Sequence, residues 1–312
     1  MTTEPADPGA AIAARIERLP PSRFLSGLVA RISLSAMFEA YDIFMIAYIA
    51  VGLINGRIFR PTTPGFFDIN GIASFVGAGF AGMFLGTIVF TWISDHFGRR
   101  VTLTASVVWY SAATIIMAFA RSPATLDFWR FVAGLGIGVQ LITADAYITE
   151  LVPSASRGRN IALLFALANL AVPLAAGASL LLVPHAYLGL DGWRLVALIG
   201  SAGIVLIWPL AGTLVESPRW LAARGRLDEA RRVTRAIEQR VLAEQGVPLP
   251  APSICSSRPV VEANWCDIWS RRYAGRTVVL SIFNLCNTVG FYGFSAWVPT
   301  LLTTEGIGVP KT

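Results

Sequence analysis

Charge is scarce in this chain: 14% of its 312 residues are Asp, Glu, Lys or Arg, where an ordinary soluble domain carries about a quarter. With 54% hydrophobic residues and a mean hydropathy of +0.61, a water-soluble globule is excluded and lipid is the solvent for most of the chain. Cysteine is scarce too. Cys255, Cys266 and Cys286 are odd in number and lack metal-ligand spacing, which argues against a disulfide framework or a zinc centre and leaves free thiols. The two histidines, His96 and His185, fall on opposite membrane faces with no serine elbow beside either, so a hydrolase has no nucleophile and base to work with. The last apolar run has no lysine, which a retinal receptor needs. Residues 1–26 hold Arg15, Arg18 and Arg23 around Pro20 and Pro21 rather than an apolar core, so no cleavable signal peptide is expected. The net charge of +6 does not mark a nucleic-acid partner, because the arginines sit in loops between apolar runs instead of along one face.

What is present is a series of apolar runs of about the 20 residues a helix needs to cross a bilayer. They lie near 27–54, 71–93, 101–120, 126–148, 161–184, 194–214 and 277–302. The expectation is an all-α, polytopic membrane protein with seven spans. With the N-terminus inside, the inner segments hold Arg15, Arg18, Arg23, Arg99, Arg100, Arg157, Arg159 and a dense set from Arg219 to Arg276. The outer ones hold Arg57, Arg60, Arg121, Arg194 and Lys311. That bias follows the positive-inside rule and places the N-terminus in the cytoplasm. After the sixth run Ser217 can cap a helix that begins at Pro218, and Ala230, Val233, Ile237 and Val241 recur at three- and four-residue steps. Short amphipathic helices should therefore lie along the cytoplasmic face, ended by Gly246 and the prolines at 248, 250 and 252. Gly77, Gly79 and Gly82 satisfy the dinucleotide-binding pattern, but no strand precedes them. Gly82 and Gly86, with Gly134, Gly136 and Gly138, read as faces for close helix packing. No nucleotide site, metal or other cofactor is expected.

Three ordered motifs give a more specific reading. Asp95-His96-Phe97-Gly98-Arg99-Arg100 after the second run resembles the Asp-Arg-x-Gly-Arg-Arg loop signature of the major facilitator superfamily, with His96 where Arg is usual. Arg130 through Gly134, Gly136 and Gly138, then Tyr147, Glu150, Pro153, Arg157 and Gly158, is similar to the fourth-span pattern of its sugar-porter-like and metabolite:proton symporter branches. Glu216-Ser217-Pro218-Arg219-Trp220-Leu221 matches a further signature of those branches. The resemblance implies a six-helix N-terminal bundle plus a seventh transmembrane helix, in a chain that stops one span into the second bundle. The corresponding division is 1–26 N-terminal segment, 27–214 six-span bundle, 215–276 linker, 277–302 seventh span and 303–312 tail. It also implies a cytoplasmic gate of charge pairs made and broken between helix ends, from Asp95, Arg99, Arg100, Glu150, Arg157, Glu216 and Arg219.

Charges inside the apolar runs need a reason, since each costs about 2.5–3.5 kcal/mol at mid-bilayer on insertion scales. Glu39 and Asp42 are three apart and share a helix face. Two carboxylates so close in low dielectric do not both ionise readily, so one should hold a proton. The pair resembles the acidic pair in the first span of metabolite symporters, where it serves proton coupling. The alternative is a structural pair satisfied by Arg31 or Arg130. Arg130 reads as counter-ion or anion-binding residue, and Asp145, about 22 Å further along the same helix, as proton relay or as a snorkelling interface residue. Gln140, Asn284, Asn287 and Tyr292 are candidate substrate-lining groups. The expected activity is secondary active transport: proton-coupled symport of a small metabolite, favouring an organic acid, by a plasma (inner) membrane monomer whose partners are substrate, proton and bilayer. A sugar-porter-like uniporter or symporter, or an inactive fragment, stays open beside it, and no enzymatic activity is expected.

Overall fold

A computed structural model describes residues 8–187, 189–252 and 265–304. In lipid each backbone N–H and C=O must be satisfied within its own segment, so the apolar runs become helices. The first is one that sequence periodicity did not announce: α1 (Pro8–Glu17) lies within the stretch expected as a plain lead. The spans follow as α2 (Arg23–Asn55), α3 (Ile72–Phe97), α4 (Arg99–Ala118) and α5 (Pro123–Leu151). The Ser22 hydroxyl caps α2 by accepting from Leu25 N at 3.2 Å, and Ser122 caps α5 ahead of Pro123. Between α3 and α4 stands Gly98 alone, at φ 98°.

The fifth span is two helices in line, α6 (Ser154–Asn169) and α7 (Ala171–Leu182), which part at Leu170. Pro173 explains the break, because it has no N–H to give and its ring crowds the carbonyl of Asn169. The run expected as one sixth span, 194–214, is a pair of short helices, α8 (Gly192–Gly200) and α9 (Gly203–Ala211). Close passage against α2 accompanies this difference: a Cβ on Gly200 would lie 2.8 Å from the Tyr41 ring and one on Gly203 3.1 Å from Phe38. Among the described residues six helices are long and apolar enough to cross a membrane, α6 and α7 being counted together, and Gly192–Ile207 is a shorter apolar segment. A two-stranded hairpin, β1 (Ala186–Tyr187) and β2 (Leu190–Asp191), joins α7 to α8. The first unit ends with α10 (Pro218–Ala223), capped by Ser217, and α11 (Leu227–Gln245), closed by Gly246 in the left-handed conformation.

The chain divides into two units, residues 1–254 and 255–312. Within the second, a short 3-10 turn at Trp265–Trp269 precedes α12 (Ala274–Thr304). Cys266 and Cys286 are free thiols, while Cys255 and residues 305–312 lie outside the described residues. Within the first unit α2 is the central post. Ile32, Met45, Ile49 and Leu53 are fully buried, and the helix packs on α5, α6, α7 and α8. The most extensive helix contact among the described residues is α3 on α5, where a Cβ on Gly82, Gly86 or Gly138 would come within 2.3 Å of a backbone oxygen of the opposing helix. Small residues let two backbones touch where lipid supplies no hydrophobic drive between helices.

Candidate functional site

Three helices bring polar side chains to one buried place. The Asp42 carboxylate on α2 and the Arg130 guanidinium on α5 form an ion pair with neither side chain exposed. Arg130 Nη2 also donates to the Asp42 carbonyl at 3.0 Å, and Thr114 on α4 donates its hydroxyl to Asp42 Oδ2 at 2.7 Å. Both carboxylate oxygens are thus satisfied. A buried pair of this kind is costly to desolvate and costlier to break, because loss of one partner strands the other charge. Gly79 on α3 makes room for it: a Cβ there would stand 2.9 Å from Arg130 Nε.

Glu39, one turn before Asp42, is 3% exposed, and its Oε2 has no hydrogen-bond partner among the described residues. Asp42 and Glu39 both act electrostatically on Tyr110, whose buried hydroxyl lies beside Ser111. Gln140 on α5 donates Nε2 to the Ser35 carbonyl at 3.0 Å and leaves Oε1 unpartnered. Of the alternatives for the acidic pair, Arg130 and not Arg31 takes Asp42, and it leaves Glu39 as the carboxyl without a cation. Asp145 is exposed on the surface of the first unit. Asn284, Asn287 and Tyr292 lie on α12 in the second unit, where Asn284 Nδ2 turns back to the Leu280 carbonyl at 2.9 Å. Among the described residues no group of three or more His, Cys, Asp or Glu side chains is placed to hold a metal ion.

The residues expected as a gate fall into three clusters at the end of the bundle that carries α10 and α11. Arg99, opening α4, donates to Asp95 at 2.7 Å, to Ser94 at 2.9 Å and to Glu150 at the end of α5 at 3.0 Å. Glu216 pairs with no arginine side chain of that set. Its Oε1 accepts the backbone N–H groups of Arg99 at 2.9 Å, Arg100 at 3.2 Å and Ser217 at 2.9 Å, so it caps the N-terminus of α4. Arg100 itself donates to the Ala211 carbonyl at 3.0 Å.

Arg157 and Arg219 both reach Glu17, the last residue of α1, at 3.0 and 2.5 Å, and Ser154 N donates to the same carboxylate at 2.7 Å. Burial alone would raise the Glu17 pKa, but the bonds from Ser154 and Arg219 outweigh it and lower the value to about 2. Arg15 and Arg18 clamp Glu238 on α11, and Ile12 packs with Trp220, Leu221 and Ala230. Sequence reasoning passed over Glu17, Glu238 and Thr114. The charge-rich stretch 15–18 was a signal for the first, whereas Thr114 carries none beyond a hydroxyl in an apolar run.

Residues 28–297 match the family described as Sugar (and other) transporter. The chain is 32% identical over 304 residues to the niacin transporter NiaP of Acinetobacter baylyi (strain ATCC 33305 / BD413 / ADP1), an alignment covering 96% of this chain and 65% of that protein. To the inner membrane metabolite transport protein YdjE of Escherichia coli (strain K12) it is 28% identical over 305 residues, again covering 96% and 65%. Its fold is similar to the crystal structure of a D-xylose-proton symporter, with a TM-score of 0.62 at 18% identity over 92% of this chain and 63% of that one. The chain thus spans just under two thirds of the length of the curated relatives it matches.

Proposed function

Because the chain belongs to the sugar (and other) transporter family of the major facilitator superfamily, we propose that it carries a small organic acid together with a proton, by alternating access. The observation that carries this reading is the Asp42–Arg130 pair buried beside Glu39. An ionised Asp42 holds the guanidinium through one oxygen and its own carbonyl. A proton on Asp42 removes the charge that holds Arg130, and the freed guanidinium can then take a substrate carboxylate through charge-assisted hydrogen bonds. Release of both cargoes restores the pair. Proton and anion thereby travel together because one arginine serves two carboxylates in turn. The name of one relative, a niacin transporter, supports a small carboxylic acid as cargo.

Glu39 is the second protonatable group: its Oε2 makes no hydrogen bond among the described residues, and the charged groups that act on it are the carboxyls of Asp145 and Asp42. Gln140 supplies an unpartnered carbonyl oxygen for orientation. Asn284, Asn287 and Tyr292 are substrate-lining candidates of the second unit in this reading, and Asp145 relays a proton at the far end of α5. The Arg99 cluster with Asp95 and Glu150 is the gate that breaks when the bundle rocks, with Arg157 and Arg219 held against Glu17 beside it. Arg99 and Glu150 are 13% and 20% exposed, so their pair is part-buried and holds more firmly than a fully exposed one, which contributes about 0–1 kcal/mol. The arginine bias puts α1, α10 and α11 on the cytoplasmic side of the inner membrane, and the protein acts as a monomer.

The test is uptake of radiolabelled nicotinate, benzoate and xylose into proteoliposomes with and without an imposed inward proton gradient. Accumulation of an acid above equilibrium, driven by the gradient and lost in Asp42→Asn, is the expected result. Uptake indifferent to the gradient sinks symport and leaves uniport, and preference for xylose over both acids sinks the assignment of cargo.

A further inference from the structure

A groove of about 560 Å³ runs along the flank of α11, away from the Asp42 site. Its walls are Arg18, Arg235, Gln239 and Leu242 with Pro248 and Leu249 from the segment after α11, and Glu238 at its base. Glu238 is already neutralised twice, by Arg15 at 22% exposure and Arg18 at 19%. Arg235 is therefore surplus positive charge: it is exposed and makes no ion pair among the described residues. Arg18 spends Nη1 on the Pro250 carbonyl at 2.9 Å and Nη2 on Glu238 at 2.6 Å, while its Nε is buried without a hydrogen-bond partner. The groove thus combines cationic and amide donors with the apolar Leu242, Pro248 and Leu249.

Its position is fixed by α2. Glu244 accepts from Phe24 N at 3.0 Å, Gln245 donates to the Pro21 carbonyl at 2.6 Å and the Arg240 guanidinium lies 4.9 Å from the Phe24 ring centroid. The contacts tie the end of α11 to Phe24 in the first turn of α2 and to Pro21 just ahead of it, at the N-terminal end of the first apolar span. Leu242 and Val247 are 42% and 63% exposed there. Apolar side chains in the open beside surplus arginine, next to the end of a helix long and apolar enough to cross a membrane, match an anionic phospholipid, with phosphate toward arginine and glycerol and acyl carbons toward leucine. We infer that this groove binds the phosphodiester headgroup of an anionic phospholipid from the adjacent leaflet, with Arg235 as the main phosphate contact and Leu242 and Leu249 against the upper acyl chain.

The purified chain in detergent is titrated with phosphatidylglycerol, phosphatidylcholine and inorganic phosphate, and bound lipid is counted by native mass spectrometry alongside the thermal melt. Phosphatidylglycerol is expected to bind and raise the melting temperature more than phosphatidylcholine does. Arg235→Ala should weaken its binding about fivefold, the contribution of one arginine at an anionic membrane surface. Leu242→Asp should weaken it as well, and both variants should melt like the parent without lipid because both positions are exposed. Equal binding of the two lipids, or no change in Arg235→Ala, overturns the inference. A shift reproduced by inorganic phosphate alone overturns the lipid as occupant and leaves a free-anion site.

Discussion

Gly82 on α3 and Gly134 on α5 meet backbone to backbone: a Cβ on Gly134 would lie 3.0 Å from the Gly82 Cα and 2.4 Å from the Gly79 carbonyl oxygen. Neither neighbour can swing aside as a side chain would. Gly134→Val should therefore force α3 and α5 apart and destabilise the bundle by about 1–3 kcal/mol or more. Gly177→Val on α7, where nothing lies within 4 Å of the added carbon, is the control and should melt within a degree or two of the parent, apart from the small propensity change. Thermal unfolding in detergent checks both.

The same contact shows what was legible in advance. The conversion of apolar runs to helices, the helix cap at Ser217 with Pro218 and the glycine faces all follow from local rules, since run length, cap chemistry and residue size act within a turn or two. Membership of the transporter family was legible for a related reason, because Gly98, Arg99, Glu150 and Glu216 sit in short ordered strings whose spacing survives without a structure. The Arg130–Asp42 contact was within reach because ionised groups at bilayer depth have few possible partners. What escaped is long-range. Nothing near Thr114 announces that it will meet a carboxylate 72 positions earlier, and nothing near Glu17 announces Arg219, 202 positions later. The break at Leu170 was missed although Pro173 is plain in the chain, because hydropathy over a window is blind to a single absent N–H. The α8–α9 break falls between Gly200 and Gly203, which pass close to Tyr41 and Phe38 of α2, a contact between distant parts of the chain.

Glu216 acts on α4 through the backbone, and that makes its substitutions distinguishable from loss of a charge pair. Glu216→Ala removes the acceptor for the Arg99 and Arg100 N–H groups and should cost about 0.5–2 kcal/mol, the usual worth of an N-terminal cap. Glu216→Gln keeps a carbonyl oxygen there and should lose less. Gly98→Ala should be worse than its size suggests, since φ is 98° and the added carbon would stand 2.5 Å from Glu216 Oε2. Hydrogen exchange of the first turn of α4, read beside the melting temperature, separates cap loss from global unfolding.

Acid should unseat α1 in a defined window. The Glu17 carboxyl falls from 4.5 to about 2 on folding, and Glu238 is lowered too, its burial outweighed by Arg15 and Arg18. A lowered folded-state value means the stabilisation is complete above the unfolded-state value and is lost as pH falls through the folded one. Protection of the α1 amides, corrected for intrinsic exchange, should hold at pH 5 and above and decline between about 4.5 and 2. Glu17→Gln should loosen α1 at neutral pH and flatten the acid decline. A parent profile that already drops between pH 7 and 5 contradicts this arrangement.

The buried pair allows its structural and transport roles to be separated. Asp42→Asn removes the charge opposite a guanidinium with no exposed surface, and breaking such a pair commonly costs about 3–5 kcal/mol. Poor transport by that variant alone would therefore be ambiguous, since a destabilised bundle also transports poorly. Replacing both partners, as Asp42→Asn with Arg130→Met, removes the stranded charge along with its counter-ion, and such replacements are often neutral or stabilising. The double variant should melt near the parent temperature yet accumulate no acid under a proton gradient. Recovery of stability without recovery of uptake assigns the pair to coupling. Recovery of both would mean that Asp42 and Arg130 only hold α2 against α5, and the proton would have to ride on Glu39.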